Sequence, residues 1–298
     1  MNATAPFGRV LTAMVTAFHA DGTLDLDGCA AVASHLVDHG NDGLVVSGTT
    51  GESPTLTTGE DGEVLRVVLE AVGDRATVVA GVGTNDTAHS IELAEQAAKL
   101  GADGLLIVTP YYNKPTQEGL VAHFRAVAET GDLPVMLYDI PGRTGTAIGP
   151  DTYARLAEDG RFVAIKDAVG DLYRGVTISQ RTGLALYSGD DVLNLAWLAH
   201  GAAGVVSVVG HVVGEYNAAM VAAVDRGDMP EARRIYERLV PVIDVIMHRA
   251  QGAMTAKAAM QLLGVIGERT MRLPLVPASD ELVAEIRDVL DELGVLPA

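Results

Sequence analysis

Phe162-Val163-Ala164-Ile165-Lys166-Asp167-Ala168 is a run of apolar, β-favouring residues that carries a lysine at its end. Similar short runs stand at 10–18, 43–46, 77–82, 104–108, 134–138, 184–187 and 204–208, which makes eight with 162–166. Helical patterns lie between most of them, as at 26–39 and 88–100, where apolar residues recur every three or four positions. Glycines suited to helix ends close these patterns at Gly40, Gly73, Gly101, Gly131, Gly160 and Gly201. Several runs are almost wholly apolar, the pattern of parallel strands covered on both faces. Eight β-α units in about 210 residues read most simply as an α/β fold of the (β/α)₈ barrel kind, a TIM barrel. An open doubly wound sheet is the alternative. After Gly214 the pattern is purely helical, at 215–225, 230–249, 255–263 and 279–293. The expected organisation is a catalytic barrel over 1–224 and a helical extension over 225–298 packed on it.

Composition narrows the function. The 298 residues hold 21 basic and 39 acidic side chains, a formal net charge of −18, with 48% apolar residues. A protein so acidic lacks the basic face that nucleic acid or an anionic membrane would need. Its single cysteine, Cys29, cannot form an internal disulfide, which fits a reducing cytoplasm. Arg9 is the first basic residue and no apolar leader core follows a charged start, so no secretory signal is expected. The most apolar stretch, 201–213, falls short of the roughly 20 residues a membrane helix requires.

Among the four lysines, Lys99 ends a helix before Gly101, Lys114 lies in a Tyr-Tyr-Asn-Lys-Pro loop and Lys257 in an Ala-rich helical stretch. By pattern only Lys166 stands where burial would strip water from the ammonium. An ordinary lysine titrates near about 10.4, and lowering that toward neutrality makes the amine a nucleophile for a ketone. The bland alternative is a strand-end lysine that reaches back to water. Barrel chemistry collects where strands end, and the other strand ends favour a site. The second gives Ser47-Gly48-Thr49-Thr50-Gly51-Glu52-Ser53, hydroxyls and amides fit for a carboxylate. The fourth gives Tyr111-Tyr112. The fifth gives Tyr138 and Arg143, a phenol that can move protons and a planar fork for a carboxylate. The seventh gives Gly189-Asp190-Asp191.

Six motifs in order carry a resemblance: Gly-Thr-Thr-Gly-Glu at 48–52, Pro-Tyr-Tyr-Asn-Lys-Pro at 110–115, Tyr-Asp-Ile-Pro-Gly-Arg-Thr-Gly at 138–145, Ile-Lys-Asp at 165–167, Ser-Gly-Asp-Asp at 188–191 and Gly-Val-Val-Ser-Val at 204–208. Over nearly its whole length the chain resembles the pyruvate-dependent class I aldolase family of dihydrodipicolinate synthase and N-acetylneuraminate lyase. Thr50 and Arg143 place it on the synthase side. The resemblance implies that Lys166 forms a Schiff base with pyruvate, whose enamine attacks L-aspartate 4-semialdehyde to give 4-hydroxy-tetrahydrodipicolinate, the first committed step of lysine and diaminopimelate synthesis. It implies Tyr138 as proton donor and acceptor, Thr49 as a bridge and Tyr112 as the outer relay, contributed across a tight dimer. Thr50 and the backbone at Val206 would hold pyruvate and Arg143 the semialdehyde carboxylate, with Gly189 also among the substrate-binding positions. A homotetramer built as a dimer of dimers is implied, with no cofactor beyond the covalent substrate.

The same resemblance marks Ser53, Thr58, Asn85, His89 and Tyr111 as positions where lysine binds as a feedback inhibitor. Lysine-sensitive bacterial members usually carry an acid where His89 stands and a histidine where Thr58 stands, so weak or absent lysine inhibition is expected. No metal is expected either: His35 and His39 have i, i+4 spacing, but no glutamate follows at the place a zinc site would need. Two other readings stay open from sequence, a related 2-keto-acid aldolase or lyase acting on another aldehyde, and a non-catalytic pyruvate-binding barrel.

Overall fold

Eight strands among the described residues, each four to six residues long, pair in parallel and in chain order, and the last returns to the first. The structure, a computed structural model, describes residues 5–297. The strands are β1 (Val10–Ala13), β2 (Gly43–Val46), β3 (Thr77–Gly81), β4 (Gly104–Val108), β5 (Val135–Asp139), β6 (Phe162–Asp167), β7 (Ala185–Ser188) and β8 (Gly204–Ser207). Parallel neighbours need a crossover, and helices supply it: α1 (Leu26–Asp38), α2 (Thr58–Val72), α3 (Thr87–Leu100), α4 (Gln117–Gly131), the short α5 (Pro141–Thr144), α6 (Pro150–Ala157), α7 (Leu172–Thr182) and α8 (Asn194–Ala199). Local sequence starts them. Asp25, Asp86, Thr116 and Asp171 each cap a first turn, and Thr57 with Glu60 forms a reciprocal capping box before α2.

Three boundaries differ from the sequence expectation for identifiable reasons. The first strand ends at Ala13 rather than 18, because the chain then leaves the ladder: Val15 N donates to His211 Nε2 and Thr16 Oγ1 to Gly51 O. Gly131 lies inside the last turn of α4, and Asp132 takes the left-handed position, φ 47°. The ninth helix, α9 (Gly210–Asp225), starts before Gly214, with a kink at Val213, because Ser207 Oγ accepts from Gly210 N and opens it.

Register decides which side chains face the barrel axis. Between β5 and β6 the pairing runs Val135 with Phe162 and then Met136 with Ala164, so Val163 is an extra residue on β6. Side chains alternate along a strand, and one extra residue flips the parity. Phe162 packs outward with the helices, yet Ala164 and Lys166 face inward beside Met136 and Tyr138. Without that bulge the register would turn Lys166 toward the helices.

Three further helices complete the fold, α10 (Met229–Met247), α11 (Gly252–Leu262) and α12 (Asp280–Leu293). They share one apolar cluster with α9 and with Val10 and Val205 of the barrel. Among the described residues no helix is long and apolar enough to cross a membrane.

Candidate active site

The carboxyl ends of the strands surround a cavity of about 440 Å³. Lys166 lies in its wall, paired with Tyr138 on the neighbouring strand, and its Nζ stands 4.2 Å from the centre of the Tyr138 ring. Both side chains are buried. Burial strips the ammonium of water, and the Arg143 guanidinium disfavours a second positive charge nearby. Against the opposing pull of Asp191, the two bring the Lys166 pKa down to about 7. Burial also pushes the Tyr138 phenol up to about 12, so at neutral pH it holds its proton and can donate it. Gly189 leaves room for the lysine, since a Cβ there would sit 2.8 Å from Asp167 O and 2.9 Å from Lys166 Cγ.

Thr49 and Thr50 line the opposite wall on the turn after β2. This turn is closed by Gly51 N and Ser53 N donating to Gly48 O, and two non-glycine residues, Ser47 (φ 54°) and Glu52 (φ 60°), hold left-handed backbone. Such conformations persist only where surroundings fix them. Here the fixing comes from the other end of the chain. The Glu52 carboxylate is buried, receives Lys257 Nζ, and accepts from Arg272 N at 3.0 Å. Lys257 also donates to Thr270 O at 2.8 Å, and Arg272 reaches Gly22 O, Thr55 O and Glu60. Lys257 is therefore a second fully buried lysine, and the sequence-based elimination that left Lys166 alone in that class is corrected. One signal was available: Lys257 is the lone charged residue of Gly252–Leu262. Its ammonium is held by a carboxylate, whereas no ion pair or hydrogen bond of the Lys166 amine occurs among the described residues.

Other expected site residues divide. Arg143, on α5, and Gly189 line the cavity, as do Ser53 and Tyr111. Val206 does not: its side chain packs within the barrel and its backbone pairs with Leu11, while Val208 lines the cavity instead. Tyr112 is not brought to the cavity of its own chain either. It is 88% exposed and points away on left-handed backbone, φ 74°. Asn85 lies exposed at the rim, its carbonyl accepting from Asn113 Nδ2 at 2.8 Å, and His89 Nε2 lies 3.3 Å from Thr58 Oγ1.

Several neighbours were not read from sequence. Met247 and His248, at the end of α10, reach the cavity from the C-terminal helices. Asp61 stands on α2 beside Ser47, where burial pushes its carboxyl up to about 7. Asp191, which the sequence did mark at the seventh strand end, is buried and accepts from Ser207 Oγ, Val208 N and Val209 N, tying β8 to the start of α9. His35 and His39 bond to main-chain carbonyls of His211 and His35, and among the described residues no cluster of three or more His, Cys, Asp or Glu side chains is arranged to hold a metal.

Comparison with known proteins places this geometry. The model of the dihydrodipicolinate synthetase family matches residues 6–293. The 4-hydroxy-tetrahydrodipicolinate synthase of Acidothermus cellulolyticus is 60% identical over 97% of this chain and 94% of its own length. That of Kineococcus radiotolerans is 58% identical over 98% and 95%. Among solved structures, the enzyme of Cyanidioschyzon merolae with lysine bound superposes with a TM-score of 0.94 at 43% identity, covering 98% of this chain and all of that one.

Proposed function

The chain belongs to the dihydrodipicolinate synthetase family, and from that premise we propose that it condenses pyruvate with L-aspartate 4-semialdehyde to give 4-hydroxy-tetrahydrodipicolinate through an imine on Lys166. The observation that carries the reading is the buried Lys166 amine, brought to about 7, beside a protonated Tyr138 at the barrel mouth. The neutral amine adds to the pyruvate ketone. The resulting hydroxyl leaves as water with a proton from Tyr138, and the iminium becomes the electron sink. Loss of a methyl proton gives the enamine, which forms a carbon–carbon bond to the aldehyde of the second substrate. The amine of that substrate then displaces Lys166 from the imine carbon, closing the ring and freeing the enzyme. The covalent imine supplies the electron sink, so the reading includes no cofactor and no metal.

Each proton moved needs a path. Thr49 links Tyr138 to the rim in this reading, and Tyr112 continues the path in the cavity of a partner subunit. The exposure and left-handed backbone of Tyr112 support a role across an interface, within a homotetramer built as a dimer of dimers. Thr50 and the amides of its turn seat the pyruvate carboxylate, and Arg143 takes the carboxylate of the semialdehyde. Cytoplasmic placement belongs to the same reading. His89 and Thr58 occupy each other, which supports weak or absent inhibition by lysine; strong inhibition at sub-millimolar lysine would contradict it.

An assay with pyruvate and a panel of aldehydes tests the function, with preference for L-aspartate 4-semialdehyde as the expected outcome and preference for another aldehyde as the refuting one. Arg143→Ala removes a charged hydrogen-bond partner, a loss of about 1.5–3 kcal/mol or roughly tenfold to a hundredfold in kcat/KM for the semialdehyde. At alkaline pH, where Lys166 is neutral with or without Arg143, pyruvate trapping should be unchanged in that variant.

A further inference from the structure

Tyr138 and Lys166 are each followed by an aspartate, and Asp139 and Asp167 stand directly opposite one another on β5 and β6. The alternation that turns the phenol and the amine inward turns both carboxylates outward, beneath α6 and α7. Two like charges at facing positions, both buried, repel each other and have lost their water. One guanidinium faces both, and the Tyr153 hydroxyl donates to Asp139 Oδ2 at 3.1 Å. Arg174 of α7 donates from Nη2 to Asp139 Oδ2 at 3.0 Å and holds Nη1 3.8 Å from Asp167 Oδ2. The carboxylates in turn hold the loops beyond the strands: Ile148 N donates to Asp139 at 3.3 Å, and Val169 N and Gly170 N to Asp167 at 3.0 and 3.1 Å. Arg174 Nη2 also donates to Ile148 O at 2.6 Å, securing the segment between α5, which carries Arg143, and α6.

We propose that Arg174 is a positioning residue for the reaction: by bridging Asp139 and Asp167 at the last paired positions of β5 and β6 it fixes the ends of the two strands and the loops beyond them, and with these the approach of the Tyr138 hydroxyl to the Lys166 amine. It acts from the far face of the sheet and lines no part of the cavity. The inference rests on the reading of Lys166 and Tyr138 as the reacting pair. Because pyruvate is seated by the turn after β2, on the opposite wall, loss of the bridge belongs in kcat and not in the pyruvate KM.

Arg174→Met alone leaves facing carboxylates unpaired, so both Tm and activity should fall. The decisive variant is Arg174→Met/Asp139→Asn, which keeps the net charge of the cluster while removing the bridge. Its Tm should return most of the way to wild type, with the pyruvate KM changed by less than about threefold. Its kcat and its rate of borohydride trapping with pyruvate should stay about tenfold to a hundredfold low, the scale of a misplacement approaching 1 Å. Recovery of kcat together with Tm, or a loss confined to KM, would overturn the proposal. Should that variant not fold, Arg174→Lys keeps the charge without the fork; a wild-type kcat there would overturn it equally, and a partial kcat supports it. Absence of a pyruvate adduct on Lys166 in the wild-type enzyme would instead remove the underlying reading.

Discussion

Lys166 and Lys257 show how one residue type takes opposite roles in one interior. Both are buried, but Lys257 donates to a carboxylate, whereas Lys166 faces a phenol ring and feels the charge of the Arg143 guanidinium. At pH 7 about half of the Lys166 amine is neutral, against about one in a few thousand for a free lysine. Only the neutral amine attacks, so single-turnover trapping by borohydride with pyruvate should rise through about pH 7 and then level. A rate still climbing toward 10.5, the ordinary lysine value, would contradict the burial argument. The stability sign is opposite to that of a salt-bridged lysine. The unfolded chain binds the extra proton between about 7 and 10.5, so this residue makes the fold less stable at the acid end of that window, and stability rises with pH across it.

At the scale of elements, the site depends on where β6 and β7 end. Gly189, just past β7, is the contact that leaves Lys166 its place, with 2.9 Å between a built Cβ and Lys166 Cγ. Gly189→Ala should therefore displace the lysine from Tyr138 and lower the trapping rate by about a hundredfold. The overpacking should cost about 1–3 kcal/mol of stability. Trapping kinetics beside a urea titration check both, and a wild-type trapping rate would refute the crowding argument. The same elements show why the strand itself was legible but its facing was not. Apolar runs and glycine stops located β6 to within one residue at its end, yet the inward turn of Lys166 depends on the bulge at Val163, a feature of pairing with β5 that no periodicity within 162–168 displays.

Across the whole molecule, the closed barrel was legible because eight buried runs alternate with helical patterns and their glycine stops along the chain. The ties between its ends were not. Glu52 and Lys257 are 205 residues apart, and local pattern made the one a turn residue and the other a helix filler. The lining of the cavity by Val208 and the outward Tyr112 likewise follow from tertiary placement. Lys257→Met should strand the Glu52 carboxylate and cost about 3–5 kcal/mol in urea unfolding, while adding Glu52→Gln should return part of that loss. A single variant as stable as wild type would show that the turn holds its shape unaided. One nitrogen carries the chemistry, and the most direct test of it is peptide mapping by mass spectrometry after borohydride reduction with pyruvate. The predicted result is one pyruvate-derived adduct, confined to the peptide bearing Lys166 and absent from Lys166→Ala. An adduct on Lys114 or Lys257, or retained labelling in that variant, would contradict it.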